Sequence, residues 1–364
     1  MNRQLIWGVR AQGVPNTRKK LSELAASDDL FDLSLIDTSS VEYKDTLSNF
    51  EKANELGAEI VTYIDKGYPE KLKNIYQPPA VLYVMGNADI LNDIIFTGMV
   101  GARRSDSYGI RMAETIASEI GQTGVGIISG GAIGIDAASH RGALRAKAPT
   151  VAVLGSGLDM LYPKENLKLF QDIIENGGAV VSEYPFGMEP LAGNFPRRNR
   201  IIAGLSTALV VVRAAKRSGS LITASQALNE GVTVFSVPGN IDDRLSGGTN
   251  ELIRDGAIPL LSPMDVVDEL IAKAPDFFVR ENDRREESRE KKRKESALKE
   301  KELKLDGLSE YEKEIVNVIA SGKATANLIE ENISFDAHRL TALLGMMEIK
   351  GLVKKGPDKK YIIL

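Results

Sequence analysis

Ile94-Ile95-Phe96-Thr97-Gly98-Met99-Val100 runs into Gly101-Ala102-Arg103-Arg104-Ser105, and Val125-Gly126-Ile127-Ile128-Ser129 runs into Gly130-Gly131-Ala132-Ile133-Gly134-Ile135-Asp136. Each apolar run has the length of a buried strand, and each small or basic loop opens a helical pattern, the second continuing to Leu144. Strand, loop and helix, twice over, is the unit of a parallel α/β sheet. Both loops fall where helix N-termini offer unpaired N–H groups and a partial positive charge, so they suit an anion. Arg103 and Arg104 add guanidinium groups fit for phosphate. Gly130, Gly131 and Gly134 let a ligand approach the backbone.

Outward from this stretch the alternation continues. Strands are predicted at 94–100, 125–129, 150–154, 178–182, 208–212 and 232–237, with helical patterns between them. Runs such as Ala208-Leu209-Val210-Val211-Val212 are apolar on both faces, as in a parallel sheet covered by helices on each side. Ligands of such folds sit at the carboxyl ends of strands. Short strands at 61–64 and 80–86 lead into this sheet, giving a Rossmann-like domain over 61–272. Residues 1–60 are helical, with Leu21, Leu24, Ala25, Leu47, Phe50 and Leu56 at helical spacing. The turn Gly13–Asn16 precedes Thr17-Arg18-Lys19-Lys20, which suits a plain helical cap better than a contact with nucleic-acid backbone. Between 280 and 304 lie 11 basic and 8 acidic residues in 25, the composition of a solvated linker, placed over 273–305. Glu287/Lys291, Glu290/Lys294 and Glu295/Lys299 sit four apart and suit a single helix. Residues 306–364 read as three helices and a hairpin, a winged-helix pattern opened by the capping box Ser309-Glu310-Tyr311-Glu312. Its third helix offers His338, Arg339 and Lys350 but is otherwise apolar, so it suits a protein partner at least as well as duplex DNA.

Composition narrows the chemistry. The 364 residues contain no cysteine, which excludes disulfides, thiolate catalysis and cysteine-bound zinc. No eighteen apolar residues run together and no signal-peptide core opens the chain, so a cytoplasmic location without membrane contact is expected. The net charge of -4 means that an anion site must be a local basic patch.

Such a patch is assembled by loops on one edge. Phe195-Pro196-Arg197-Arg198-Asn199-Arg200 combines cations with an aromatic ring, the composition of a single-strand site in which charges track phosphates and the ring stacks a base. Phe195 suits buried packing as well. A helix is expected to open at Asn199 and Arg200, leaving Arg198 in the preceding loop. Lys216-Arg217-Ser218-Gly219-Ser220 repeats the mixture of cations, hydroxyls and glycine, and Gly247-Gly248-Thr249-Asn250 adds a further cluster. The 129–136 loop is neither a dinucleotide fingerprint, lacking the later acid, nor a P-loop, lacking Gly-Lys-Ser/Thr. His140 lies four residues after Asp136 without a nucleophile or metal set, and reads as a structural histidine. No catalytic residue, metal ligand or cofactor site is indicated. A track of this many loops suits a polynucleotide better than a mononucleotide.

The motifs Val100-Gly101-Ala102-Arg103-Arg104-Ser105, Ser129-Gly130-Gly131-Ala132, Gly155-Ser156-Gly157-Leu158-Asp159 with Tyr162-Pro163, Asn194-Phe195-Pro196-Arg197-Arg198-Asn199-Arg200 and Ser218-Gly219-Ser220-Leu221-Ile222-Thr223-Ala224 together resemble the DNA-processing protein A family. The resemblance covers about residues 60 to 265. It implies a Rossmann-like single-stranded DNA-binding domain that forms a homodimer, protects incoming DNA and loads RecA recombinase during natural transformation and recombination. It also implies a sterile-alpha-motif-like N-terminal domain. Carried over residue by residue, the expected DNA contacts are Arg103, Arg104, Gly130, Gly131, Gly134, Lys164, Phe195, Arg197, Arg198, Arg200, Ser218, Gly219 and Ser220; Asn199, Lys216 and Arg217 join them from the composition of their loops. The chain departs from the family at Arg213, where relatives usually carry glutamate; the extra cation either faces phosphate or is paired elsewhere. An enzyme of the lysine-decarboxylase-like phosphoribohydrolase type is the alternative. Its Pro-Gly-Gly-x-Gly-Thr motif is here split between Pro238-Gly239-Asn240 and Gly247-Gly248-Thr249.

Overall fold

The computed structural model describes residues 2–284, 286–287, 290 and 308–364. The Glu/Lys pairs expected at 287/291, 290/294 and 295/299 lie outside the described residues. Contacts divide the chain into two units, Met1–Arg280 and Glu281–Leu364.

The first unit opens with helices α1 (Arg3–Gln12), α2 (Arg18–Ala25) and α3 (Val41–Leu56), followed by β1 (Glu59–Thr62), the short α4 (Glu70–Asn74), β2 (Val81–Gly86) and α5 (Ile90–Asp93). The alternating core runs β3 (Phe96–Val100), α6 (Ser107–Gly121), β4 (Gly126–Ser129), α7 (Ile135–Arg145), β5 (Thr150–Leu154), α8 (Leu167–Glu175), β6 (Ala179–Ser182) and α9 (Asn194–Leu205). It continues through β7 (Ser206–Val211), α10 (Ser220–Asn229), β8 (Thr233–Ser236), α11 (Gly247–Arg254), β9 (Ile258–Pro259) and α12 (Pro263–Lys273). The nine strands form one sheet in the order β1-β2-β6-β5-β4-β3-β7-β8-β9. From β6 to β9 all pairs are parallel, as the apolar runs predict. β1 and β2 are antiparallel additions on one edge.

Period-two alternation explains why both faces are covered. On β7, Leu209 and Val211 pack with Ile201, Ile202 and Ala224 of α9 and α10. Ala208 and Val210 face the opposite way, to Ile116 of α6 and Val266 of α12. Burying each of these leucine, isoleucine and valine side chains stabilises by roughly 1.5–3 kcal/mol. The N-terminal helices share this core. Trp7 is fully buried, stacks on Tyr63 at 5.8 Å and donates its indole N–H to the Ala80 carbonyl at 2.8 Å.

Chain order reverses between β3 and β7. From β3 the chain steps outward to β4, β5 and β6, then returns beside β3 as β7 and proceeds the other way. The crevice outside the carboxyl ends of β3 and β7 is therefore a topological switch point, where α/β sheets bind ligands.

The second unit has helices Glu310–Ala320, Ala326–Glu330 and Ala337–Ile349, then a hairpin of β10 (Val353–Lys355) and β11 (Tyr361–Ile363). Its separate core includes Ile315, Ile329, Leu344 and Met347. The capping box is formed: Ser309 Oγ accepts from the Glu312 N–H, and Glu312 accepts the Ser309 N–H at 2.8 Å. Among the described residues no helix is long and apolar enough to cross a membrane.

Candidate nucleic-acid interface

A cavity of about 480 Å³ opens at the switch point. Its walls come from the ends of β3 and β4 and from the first turns of α9 and α10, including Arg103, Asp136, Phe195, Arg198 and Ser218. The β3 loop is fixed by the Ala102 N–H, which donates to the Arg213 carbonyl at 2.8 Å. Gly134 has a φ of +83°, and a Cβ there would lie 2.4 Å from the carbonyls of Ala102 and Arg103. Glycine thus lets the two loops meet before α7 begins.

Over this floor stands Phe195, half-buried, with the Arg103 guanidinium carbon 4.8 Å from its ring centroid. Tyr162 adds a second ring at 5.9 Å and is 41% exposed. A Cβ on Gly155 would sit 3.0 Å from Phe195, so a small residue there seats the ring. Sequence reasoning did not single out Tyr162 as a site residue, although its place beside Lys164 put it within view.

Arg198 corrects an expectation. It lies inside α9, which begins at Asn194 rather than at Asn199, and it is buried. Pro196 does not delay the helix, because the first-turn N–H groups have no intrahelical acceptor and a missing one costs nothing. Arg198 Nη1 donates to the Gly130 carbonyl at 2.7 Å, and Nε donates to Asn199 Oδ1 at 3.2 Å. Arg198 therefore braces the glycine loop from below. Burial lowers its pKa to about 10, so it stays cationic at neutral pH. Burial also raises the pKa of Asp136, against the pull of nearby Arg198. His140 is buried, pairs through Nδ1 with Thr150 Oγ1 at 2.7 Å and is pushed down to about 3 by burial. It is neutral and packed among core residues.

Ser218, Gly219 and Ser220 bring the α10 entry to the same cavity, with the two hydroxyls 2.8 Å apart. Gly130 lines a small pocket with Tyr162 and Phe195, whereas Gly131 packs against Phe170 of the core and is held by the Asn166 amide, which donates to its carbonyl at 2.9 Å. Arg104, Lys164, Arg197, Lys216 and Arg217 are exposed and make no ion pair among the described residues. Arg200 is not brought to the cavity. It forms a bidentate pair with Glu183, one contact at 2.6 Å, and its Nε donates to the Gln77 carbonyl at 2.7 Å. The cause is helical geometry: positions 198 and 200 point to different faces of α9. Arg213 is paired elsewhere, donating to Asp106 at 2.7 Å and also to Asp243 and Ser246. With its side chain 5% exposed, it staples the 240–246 loop to the start of α6 and adds no free charge to the groove.

Fold and geometry define a Rossmann-like α/β protein with a cationic, ring-bearing cavity at the switch point. The family model for DNA recombination-mediator protein A matches residues 59–271, more than half of the chain, and the chain belongs to that family. It is 41% identical over 216 residues to DNA processing protein DprA of Bacillus subtilis, covering 59% of this chain and 72% of that one. It is 42% identical over 203 residues to protein Smf of Escherichia coli, covering 56% and 54%. The solved structure of DNA processing protein A from Streptococcus pneumoniae superposes with a TM-score of 0.62 at 36% identity, over 74% of this chain and 98% of that one. That of the Helicobacter pylori protein, described for its single-stranded DNA binding mode, gives 0.53 at 30% identity, over 59% and 96%.

Proposed function

We propose that this chain binds single-stranded DNA along the carboxyl edge of its sheet and acts, without catalysis, as a recombination mediator. On this reading it is a cytoplasmic homodimer that protects strands taken up in natural transformation and loads RecA recombinase onto them. The observation that carries the reading is the Arg103–Phe195 stack at the switch point, flanked by exposed cations without ion-pair partners among the described residues. A ring with an adjacent guanidinium stacks a base and holds its phosphate, whatever the base. The strand contacts are assigned to Arg103, Arg104, Lys164, Phe195, Arg197, Lys216, Arg217 and the Ser218–Ser220 turn, with Gly130, Gly131, Gly134, Arg198 and Asn199 shaping the floor. Residues 1–60 are read as a sterile-alpha-motif-like domain and 306–364 as a winged helix joined by a charged linker.

A phosphoribohydrolase finds less support. Gly247-Gly248-Thr249 opens α11, and Thr249 is buried with its hydroxyl donated to the Ser246 carbonyl at 3.1 Å. Titration of the full chain with oligothymidine and with duplex of equal length, at two salt concentrations, tests the proposal. Tighter binding to the single strand with a steep salt dependence is expected; no binding, or equal binding to duplex, overturns it. RecA loading is checked separately by the rate of filament formation on strands coated with this protein.

A further inference from the structure

We infer that the strand path continues beyond the switch-point cavity, along the crevice between α9 and α10, to a second base-stacking station at Tyr76 with Arg18 beside it. The inference rests on the single-strand reading above.

A separate cavity of about 520 Å³ is lined by Arg18, Tyr76, Arg200, Gln226 and Asn229, among others. Its lining, like that of the first, draws on both α9 and α10. Gly219, Ile222 and Thr223 of the α10 entry line the switch-point cavity, and Gln226 and Asn229 line the second one. These positions recur at three- and four-residue steps and so share one face of the helix. On α9, Pro196 and Asn199 line the first cavity and Arg200 the second. Gln226 sits at the junction. Its Nε2 donates to the Pro196 carbonyl at 3.3 Å, and its Oε1 is buried without a donor among the described residues.

Tyr76 is 73% exposed, more than Tyr162 in the first cavity. Its backbone is nevertheless pinned on both sides. The Tyr76 carbonyl accepts from the Arg18 N–H at 3.1 Å, and its own N–H donates to the Glu230 carboxylate at 3.2 Å. Arg200 holds the next carbonyl, that of Gln77, and Pro78-Pro79 restrict the chain beyond. A ring presented on a fixed backbone stacks a base with little ordering cost. The Arg18 guanidinium is exposed, without an ion-pair partner among the described residues, and suits the accompanying phosphate. Glu230, the carboxylate of this cavity, is engaged by the Tyr76 N–H, so the amides and ring suit a base better than a second phosphate. Arg200 thereby acquires a role of its own. It positions the Tyr76 loop against α9 and does not itself meet the strand.

The test uses the full chain and oligothymidines of about three and about twenty nucleotides, the first too short to reach from Phe195 past the roughly 15 Å length of α10 to Tyr76. Tyr76→Ala should weaken binding of the longer strand by roughly tenfold, a loss confined to that strand, with an unchanged thermal midpoint. Phe195→Ala should weaken both strands. Tyr76→Trp should keep the affinity, and its emission should be quenched by the longer strand and not by the shorter. Wild-type affinity of Tyr76→Ala for the longer strand, or unquenched emission from Tyr76→Trp, overturns the second station while leaving the groove in place. If the wild-type chain binds neither strand, the groove reading falls and the second station falls with it.

Discussion

Arg198 and Arg200 stand two positions apart on α9, and their surroundings assign them to different tasks. Arg198 is buried beneath the glycine loop. The Arg200–Glu183 pair is 13% and 12% exposed, and Arg200 also ties down the Gln77 carbonyl. Removing one partner of such a pair leaves a buried charge without compensation. Arg200→Ala should therefore destabilise the chain by about 2–4 kcal/mol, read from the urea midpoint. Lysine at the same position should recover little, because it lacks the planar fork that meets carboxylate and carbonyl together. Phe195→Ala should show the opposite profile. Its ring is half-buried and its neighbours are a glycine and another exposed ring, so stability should change little while affinity for oligothymidine falls by about 1–3 kcal/mol. The sequence shows three arginines in a row of four and gives no means of telling them apart. Sorting them requires the start of α9 and the location of Glu183, a residue seventeen positions from Arg200 that no local pattern links to it.

Elements, in contrast to single contacts, were largely readable. The six main strands fall within two residues of their predicted bounds, since long apolar runs between small-residue loops leave few alternatives. The two-residue β9 was not foreseen, being too short to show a period, and neither was the early start of α9, where Pro196 looks like a breaker. Helix Glu310–Ala320 offers an element whose stability depends on pH. Glu312 is held at about 2, first by its pairing with Lys350 at 2.8 Å and then by the Ser309 N–H and hydroxyl. A carboxylate whose folded pKa lies below its unfolded value of about 4.3 stabilises fully above that value and loses its contribution as pH falls toward 2. Protection of the Ile315 and Ile319 amides, corrected for intrinsic exchange rates, should therefore drop between pH 5 and pH 3. In Glu312→Gln the capping geometry survives without the charge. That variant should lose about 1 kcal/mol at neutral pH and show a smaller drop on acidification, the remainder coming from Asp336, which the Arg339 N–H holds below the usual carboxylate range.

For the whole molecule, the formal charge of -4 sets the terms on which it meets a polyanion. Attraction arises only where cations gather, and those at 103–104, 164, 197 and 216–217 follow β3, β5, β6 and β7, on the carboxyl edge of the sheet. That convergence was legible once the parallel alternation was recognised, because every loop following a parallel strand ends on the same edge. Which cations remain free was not legible, since it depends on carboxylates elsewhere, as Asp106 and Asp243 on Arg213 show. The sorting has a measurable consequence. Each phosphate neutralised on a single strand contributes about 0.7 to the fall of log K with log salt. If roughly four to six of the exposed groove cations meet phosphates, the slope for oligothymidine should be about -3 to -4. Truncation after Arg280 removes the second unit and the charged segment but leaves the first unit with its own core and every groove cation. Its slope should match that of the full chain, measured by fluorescence titration from low to physiological salt. A slope halved by the truncation would move a large share of the phosphate contacts to the charged segment or the second unit, and the groove would then hold bases more than backbone.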